Sequence, residues 1–216
     1  MGLDRLGGRD FTFEEPLELL GPQSQDEQLR GLEYLGGWEN PAGSAAVASS
    51  AIVNFPLRDT VVVMARVVWG VTAGHAVLRV GAAPGVLDTG PNFWSRNAIS
   101  RGKDTGTLGS SDGGLFFGTK EVNAARWLLQ GTTDNGTTQA RALLVTINNG
   151  AGMAKTASWL VSRSAGLASS SGPIGSGWGE YTNVAGQIQC IQLGTADGSA
   201  NLGPVTGLGV FGRNHV

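Results

Sequence analysis

The sequence predicts an all-β protein, an antiparallel β-sandwich or jelly roll with an extended N-terminal arm. The 35 glycines among 216 residues follow no three-residue period, which excludes a collagen-like chain, and 41% hydrophobic residues are too many for a disordered one. From residue 41 onward, short segments of alternating apolar and polar residues are separated by turn-forming dipeptides. The length suits one domain whose core needs neither disulfides nor metals.

The first 40 residues differ from the rest in charge, so we divide the chain into an arm at 1–40 and a sandwich domain at 41–216. The arm holds nine acidic residues against three arginines, a net charge of −6, whereas the domain holds eight acidic residues against twelve basic ones, a net charge of +4. Because the arm is acidic and the domain basic, the arm of one copy is attracted to the domain of another copy or to a different basic neighbour. The alternative interpretation is a solvated acidic face.

The arm is also too apolar for a solvated tail. Residues 14–22 could form one short helical turn that ends at Gly21-Pro22, and residues 26–35 could form another, but neither is long enough to be stable alone. We infer that the arm becomes ordered by lying on its own domain or on a neighbouring subunit. The predicted anchoring residues are Phe11, Phe13, Leu17, Leu19 and Leu20.

The sandwich domain begins with two clear strands. In residues 61–71 the side chains of Val61, Val63, Ala65, Val67, Trp69 and Val71 share one face, and Arg66 lies on the other. Residues 76–80 repeat the pattern, with Arg79 outward. Further strands are predicted at 114–118, 126–130, 141–147, 158–163, 187–193 and 207–213.

Turns and loops separate these strands. Asp134-Asn-Gly136, Asn148-Asn-Gly150 and Asp197-Gly198 tolerate a positive φ and reverse the chain tightly. Residues 102–114 and 165–179 are rich in glycine and serine, and we predict exposed loops there.

No set of residues meets the requirements of an enzyme. Residues 109–113, Gly-Ser-Ser-Asp-Gly, match a nucleophile elbow around Ser111, but the elbow needs a strand before it and a helix after it, and neither is predicted. The two histidines, His75 and His215, are far apart in the chain. Most carboxylates of the domain lie in turn-forming sequences. We therefore predict no catalytic residue. The alternative, an esterase or glycanase, would require Ser111 or a pair of carboxylates.

Cofactors, metals and membranes are equally unsupported. Cys190 is the only cysteine, so the chain forms no internal disulfide and no cysteine-based zinc site, and we predict a small core side chain. The apolar runs are too short for a bilayer span, and no basic-then-apolar leader is present, so synthesis in a cytoplasm is expected. Scattered basic residues and a pI of about 5.7 argue against nucleic-acid binding.

The five tryptophans of the predicted sandwich domain divide into two groups. Trp69, Trp127 and Trp159 lie in strand patterns, where a large ring is usually part of the core. Trp94 and Trp178 fall in predicted loops, and Tyr181 follows closely. These three, Trp94, Trp178 and Tyr181, are the candidate contacts for a glycan.

The order of features over residues 33–214 resembles a β-sandwich module of virion proteins of tailed bacteriophages, found in head decorations, fibres and tail appendages. Leu32-Glu-Tyr-Leu35 precedes Phe55-Pro56 and the core strand at 60–69, and Asp88-Thr-Gly-Pro-Asn-Phe93 is similar to the family's Asp-x-Gly-x-Asn-aromatic turn. Ile147-Asn-Asn-Gly150 with Lys155 resembles its strand that ends in a polar turn before a lysine.

The closing segment carries the most specific part of this resemblance. Ile188-Gln-Cys-Ile-Gln-Leu193, a Gly/Asn turn and Gly207-Leu-Gly-Val-Phe-Gly212 are similar to the family's last two strands. The chain departs from the pattern at Gly203-Pro204-Val205, where a Gly-Ser pair is usual, and at Phe211, where tyrosine is commoner.

The resemblance implies a non-enzymatic virion component that forms a homotrimer. The chain has no shaft-forming repeat, and its apolar, acidic arm is suited to clamping adjacent capsid or tail subunits. We therefore expect a capsid decoration (cement) protein, made in the host cytoplasm and incorporated into the virion. The alternative is a tail fibre or a tail-attached appendage that binds a receptor or host-surface glycan.

Overall fold

The computed structural model describes residues 31–70, 75–101, 114–129, 140–163, 174–199 and 201–214. These residues contain no helix, and their strand pairs are antiparallel, as the sequence predicts for an all-β protein. The chain divides into two compact units, Met1–Glu33 and Tyr34–Val216. The predicted anchors Phe11, Phe13, Leu17, Leu19 and Leu20 lie outside the described residues.

The described strands form two sheets. Eight strands make the larger sheet, in the order β1-β12-β3-β8-β9-β10-β5-β6, and four make the smaller, in the order β2-β11-β4-β7. The strands are β1 (Glu33–Glu39), β2 (Val53–Asn54), β3 (Thr60–Val68), β4 (Ala76–Gly81), β5 (Phe93–Arg101), β6 (Gly114–Ala124), β7 (Trp127–Leu128), β8 (Ala140–Asn148), β9 (Lys155–Arg163), β10 (Ile174–Tyr181), β11 (Cys190–Thr195) and β12 (Gly207–Arg213). Residues 34–39, which the sequence analysis assigned to the arm, belong to the second unit and form most of β1.

The core lies between the two sheets, where the apolar faces of their strands meet. In β3 the buried residues Val61, Val63, Ala65 and Val67 alternate with outward ones, and the exposed Arg66 is among the outward residues, as the sequence predicts. The smaller sheet contributes a second apolar layer, including Leu78, Val80, Ile191 and Leu193. The predicted core tryptophans Trp69, Trp127 and Trp159 are all at most 2% exposed.

Strand β10 corrects the prediction of an exposed loop at 165–179. Residues 174–181 pair with β9 on one side and with β5 on the other, inside the larger sheet. Gly177 and Gly179 face the core, and a Cβ at Gly177 would lie 2.3 Å from the indole nitrogen of Trp159. These glycines therefore leave room for the tryptophan rings and are not turn residues.

Buried polar side chains close one end of the sandwich, in the turn that the sequence predicts at 148–150. The Asn149 amide donates to the carbonyls of Arg58 (2.9 Å) and Ile188 (3.0 Å) and accepts from the amide of Ile188 (2.6 Å). The ammonium of Lys155 is fully buried and donates to the carbonyls of Met153 and Asn183. Burial lowers the pKa of Lys155. The Asn149 side chain therefore ties this turn to the backbone at Arg58 and Ile188, whereas the lowered pKa of Lys155 means that burial of its charge opposes folding.

Within the described ranges, no helix has the length and apolarity that a bilayer crossing requires.

Candidate binding surface on the larger sheet

A groove opens on the outer face of the larger sheet, over strands β10, β5 and β6. Its volume is about 470 Å³, within the usual range for ligand pockets. We call it the tryptophan groove. Its aromatic, basic and polar lining residues include Trp94, Arg96, Lys120, Asn123, Trp178 and Thr182.

Strand register places the aromatic and basic side chains of the groove side by side. Trp178 of β10 pairs with Arg96 of β5, and Arg96 pairs with Lys120 of β6. Trp178 is 41% exposed, and the guanidinium carbon of Arg96 lies 5.8 Å from the centre of its ring. This distance permits a cation–π interaction.

The second tryptophan of the groove is fixed by a carboxylate. Trp94 pairs with Glu180 across β5 and β10, and its indole nitrogen donates to Glu180 Oε2 at 2.9 Å. The prediction of loops at Trp94 and Trp178 is wrong, because both residues lie in strands. The prediction that both tryptophans reach the surface is correct, since Trp94 is half-buried and Trp178 is exposed.

A β-bulge forms the edge of the groove. Phe93 pairs with Ala124 and Trp94 with Val122, so Asn123 is an extra residue on β6. Its φ is 54°, in the left-handed region that asparagine tolerates better than most residues. Bulges bend a strand and redirect its side chains, and they often occur beside binding sites.

The turn at 88–93 braces one wall of the groove. Asp88 accepts hydrogen bonds from the amide of Gly90 (2.7 Å), the side chain of Asn92 (2.9 Å) and the hydroxyl of Tyr181 (2.7 Å). The carbonyl of Asn92 in turn accepts from the amide of Thr182 at 2.8 Å. The carboxylate of Asp88 thus holds the wall that Asn92 and Thr182 form.

The electrostatics of this cluster agree with a structural role for Asp88. Burial acts to raise the pKa of its carboxyl, but the hydrogen bonds from Tyr181, Gly90 and Asn92 outweigh burial and hold that pKa below its usual value. For Tyr181, burial and then the Asp88 carboxylate raise the pKa of the phenol.

Tyr181 must be removed from the candidate glycan contacts. Its side chain is 0% exposed, and its ring stacks on Phe93 with centroids 4.6 Å apart. Alternation along β10 explains the difference, because Trp178 faces outward and Tyr181, three residues later, faces the core.

A second surface lies beside the groove on the same outer face. Met64, Leu144 and Leu160 occupy paired positions on β3, β8 and β9, and we call them the aliphatic row. They are 48%, 38% and 54% exposed. Outward residues further along β8 and β9 are polar, as the exposed pair Asn148 and Thr156 shows. On β8 and β9 the row therefore borders a polar part of the outer face.

The remaining chemical candidates are either outside the described residues or engaged in local contacts. Ser111 and His215 lie outside the described residues, and His75 is half-buried just before β4. Of the carboxylates, Glu121 forms an ion pair with Arg126 at 3.5 Å, and Asp197 accepts from the amide and hydroxyl of Ser199 in the predicted turn. No three His, Cys, Asp or Glu side chains of the described residues are grouped to hold a metal.

Cys190 has the predicted role of a small core side chain. It is fully buried, and its sulfur lies 3.3 Å from the carbonyl oxygen of Ala83. Burial raises the pKa of its thiol, so the reactive thiolate is disfavoured.

The comparisons with known proteins identify no relative. No protein-family model matches the chain, and neither the curated proteins nor the solved structures give a match.

Sequence reasoning missed most of these surface residues. Arg96 and Lys120 become neighbours of Trp178 only through strand register. Alternation in 141–147 predicts that Leu144 faces outward, but its pairing with Met64 and Leu160 depends on the strand order. No alternation marks the start of β5, because Phe93-Trp94-Ser95-Arg96 is two apolar residues followed by two polar ones.

Proposed function

We propose that the chain is a non-enzymatic structural protein of a tailed-bacteriophage virion. In this proposal it is a capsid decoration (cement) protein that binds and stabilises neighbouring subunits. The resemblance to phage β-sandwich modules is the reason for proposing a virion structural protein. The aliphatic row is the observation that supports a binding role.

The aliphatic row favours a protein partner. In an antiparallel sheet with one solvated face, outward residues are usually polar, so three aliphatic side chains on adjacent strands mark a contact surface. Because the three are already about half-buried, covering them contributes roughly 2 to 4 kcal/mol before ordering costs. The partner we propose is a capsid subunit with an apolar strip of its own.

Two double variants of equal charge test this contact. Leu144→Asp with Leu160→Asp places two carboxylates in the row, and Asn148→Asp with Thr156→Asp places two on the same strands outside it. Particles assembled with each variant are purified, and the bound chain is measured by quantitative immunoblot, after circular dichroism has checked the fold. We expect the first variant to be lost from particles and the second retained. Equal retention of the two would contradict the proposal.

The arm is the second element of the proposed decoration role. Phe11, Phe13, Leu17, Leu19 and Leu20 would bury apolar surface on a neighbouring subunit, and the acidic charge of the arm would favour a basic partner. Deletion of residues 1–30 is expected to keep the sandwich folded and to reduce particle binding. Undiminished binding would remove the arm from the proposal.

Analytical ultracentrifugation tests the proposed homotrimer.

A tail fibre or tail-attached appendage that binds a host-surface glycan is the second candidate function. The tryptophan groove favours it, because exposed aromatic rings beside polar groups are typical of sugar-binding surfaces. Trp178→Ala should weaken adsorption to host cells if this candidate is right. The decoration role predicts unchanged adsorption.

A further inference from the structure

We propose that the tryptophan groove binds an acidic sugar, one whose ring carries a carboxylate. The inference rests on the glycan-binding candidate function and adds the chemical class of the ligand. It follows from the side chains that strand register brings together on β10, β5 and β6.

The aromatic part of the groove provides a stacking surface. Trp178 projects from the sheet with 41% of its side chain exposed, and Trp94 is held nearby by its hydrogen bond to Glu180. The apolar face of a pyranose ring packs against an indole, and an indole fixed by its neighbours loses little conformational entropy on binding.

The charged part of the groove selects the ligand class. Arg96 and Lys120 follow Trp178 in one line across the sheet, so a sugar stacked on Trp178 would have a carboxylate within reach of two cations. The Glu180 side chain also lies on the outer face of the sheet, where its Oε2 accepts a hydrogen bond from the indole nitrogen of Trp94. Glu121 faces the opposite side, since it pairs with Ser95 and contacts Arg126.

The polar walls favour a sugar over a nucleic acid. Asn123 and Thr182 place amide and hydroxyl groups beside the rings, which suits the many hydroxyls of a sugar. A single nucleic-acid strand needs a continuous basic track, whereas the groove is lined by two cations, the carboxylate of Glu180 lies against Trp94, and the chain has a net charge of −2.

Binding experiments with matched probes test the inference on the full chain. The probes are tetramers of galacturonate and of α2,8-linked sialate, the methyl ester of each, and an eight-residue single-stranded oligothymidylate. Tryptophan fluorescence and calorimetry measure the affinities. We expect at least one acid to bind about tenfold more tightly than its ester, because the ester carries no negative charge to pair with the two cations.

Variants assign the effect to residues. Arg96→Gln with Lys120→Gln should remove the preference for the acid, whereas Arg66→Gln with Arg213→Gln removes two exposed charges elsewhere and should preserve it. Trp178→Ala should weaken binding of both the acid and the ester.

Each contrary result has its own meaning. Equal affinity for acid and ester overturns the acidic class and leaves glycan binding standing. Absence of binding by every sugar overturns both. Tighter binding of the oligothymidylate than of any sugar identifies the groove as a nucleic-acid site and overturns the inference.

Discussion

Replacement of Gly177 by alanine tests why a glycine-rich segment forms a central strand. A Cβ at this position would lie 2.3 Å from Nε1 and 2.4 Å from Cε2 of Trp159, so the indole must move. The ring is 2% exposed, and its nitrogen donates to Asn97 Oδ1 at 2.9 Å. Movement of the ring therefore strains the core and disrupts a buried hydrogen bond.

The expected magnitude follows from these two effects. Overpacking a core costs about 1 to 3 kcal/mol, and a buried polar group left without its partner costs about 1 to 3 kcal/mol. The lower chain entropy of alanine in the unfolded state offsets about 0.5 to 1 kcal/mol. We expect Gly177→Ala to lower the free energy of unfolding by about 2 to 4 kcal/mol, a large part of the stability of an ordinary domain.

Urea denaturation followed by tryptophan fluorescence measures this free energy. Ser176→Ala, at an exposed position of the same strand, is the control and should change it by less than about 0.5 kcal/mol. The smaller ring of Trp159→Phe should make Gly177→Ala less costly when the two are combined. A cost below about 0.5 kcal/mol, or the same cost beside phenylalanine, would refute the steric explanation.

Three further changes test the polar cluster, the buried turn and a strained backbone position. Asp88→Asn should lower stability at pH 7 by about 2 kcal/mol. The Asp88 carboxyl has a depressed pKa in the folded state, so its contribution to stability is present above its unfolded pKa of 3.8 and is lost as the pH falls through the folded value. The variant should therefore lose less stability on acidification than the parent. Urea titrations of both proteins at pH 7 and below pH 4 that show equal losses of unfolding free energy would contradict this. Asn149→Ala removes three buried hydrogen bonds and should cost about 2 to 4 kcal/mol in the same assay, and an unchanged midpoint would show that these bonds do not support the fold. Val205 has a φ of +58°, which is unfavourable for a β-branched side chain, so Val205→Gly should raise the free energy of unfolding by about 1 kcal/mol, and a decrease would argue against strain there.

The strands with regular alternation were predictable from sequence. The predicted strand at 207–213 coincides with β12, and the alternation of Val61 to Val67 gives the core face of β3. Periodicity succeeds there because each strand has one buried and one solvated face. Asp197-Gly198 forms the expected turn, with Gly198 at a φ of +72°.

Strand β10 could not be predicted in the same way, because its inward positions before Tyr181 are glycines. Gly177 and Gly179 carry no apolar side chain to mark a buried face, and their role depends on Trp159 and Trp127 in other strands. Glycine in a strand can indicate the close approach of another group, but sequence alone does not reveal that group.

The candidate surface was predictable only in part. Trp94 and Trp178 were chosen correctly as surface residues, for the wrong reason that they lie in loops. Their basic neighbours and the aliphatic row depend on the order of strands that are distant in sequence, such as β5 beside β10 and β3 beside β8. Alternation along one strand gives the direction of a side chain and not its neighbour on the next strand.

The position of the chain on purified phage particles tests the proposed function most directly. Immunogold electron microscopy with an antibody to the sandwich domain gives the location, and a quantitative blot of the same particles gives the copy number. The decoration role predicts many copies spread over the head surface. Label confined to the tail, or purified particles without the chain, would contradict it.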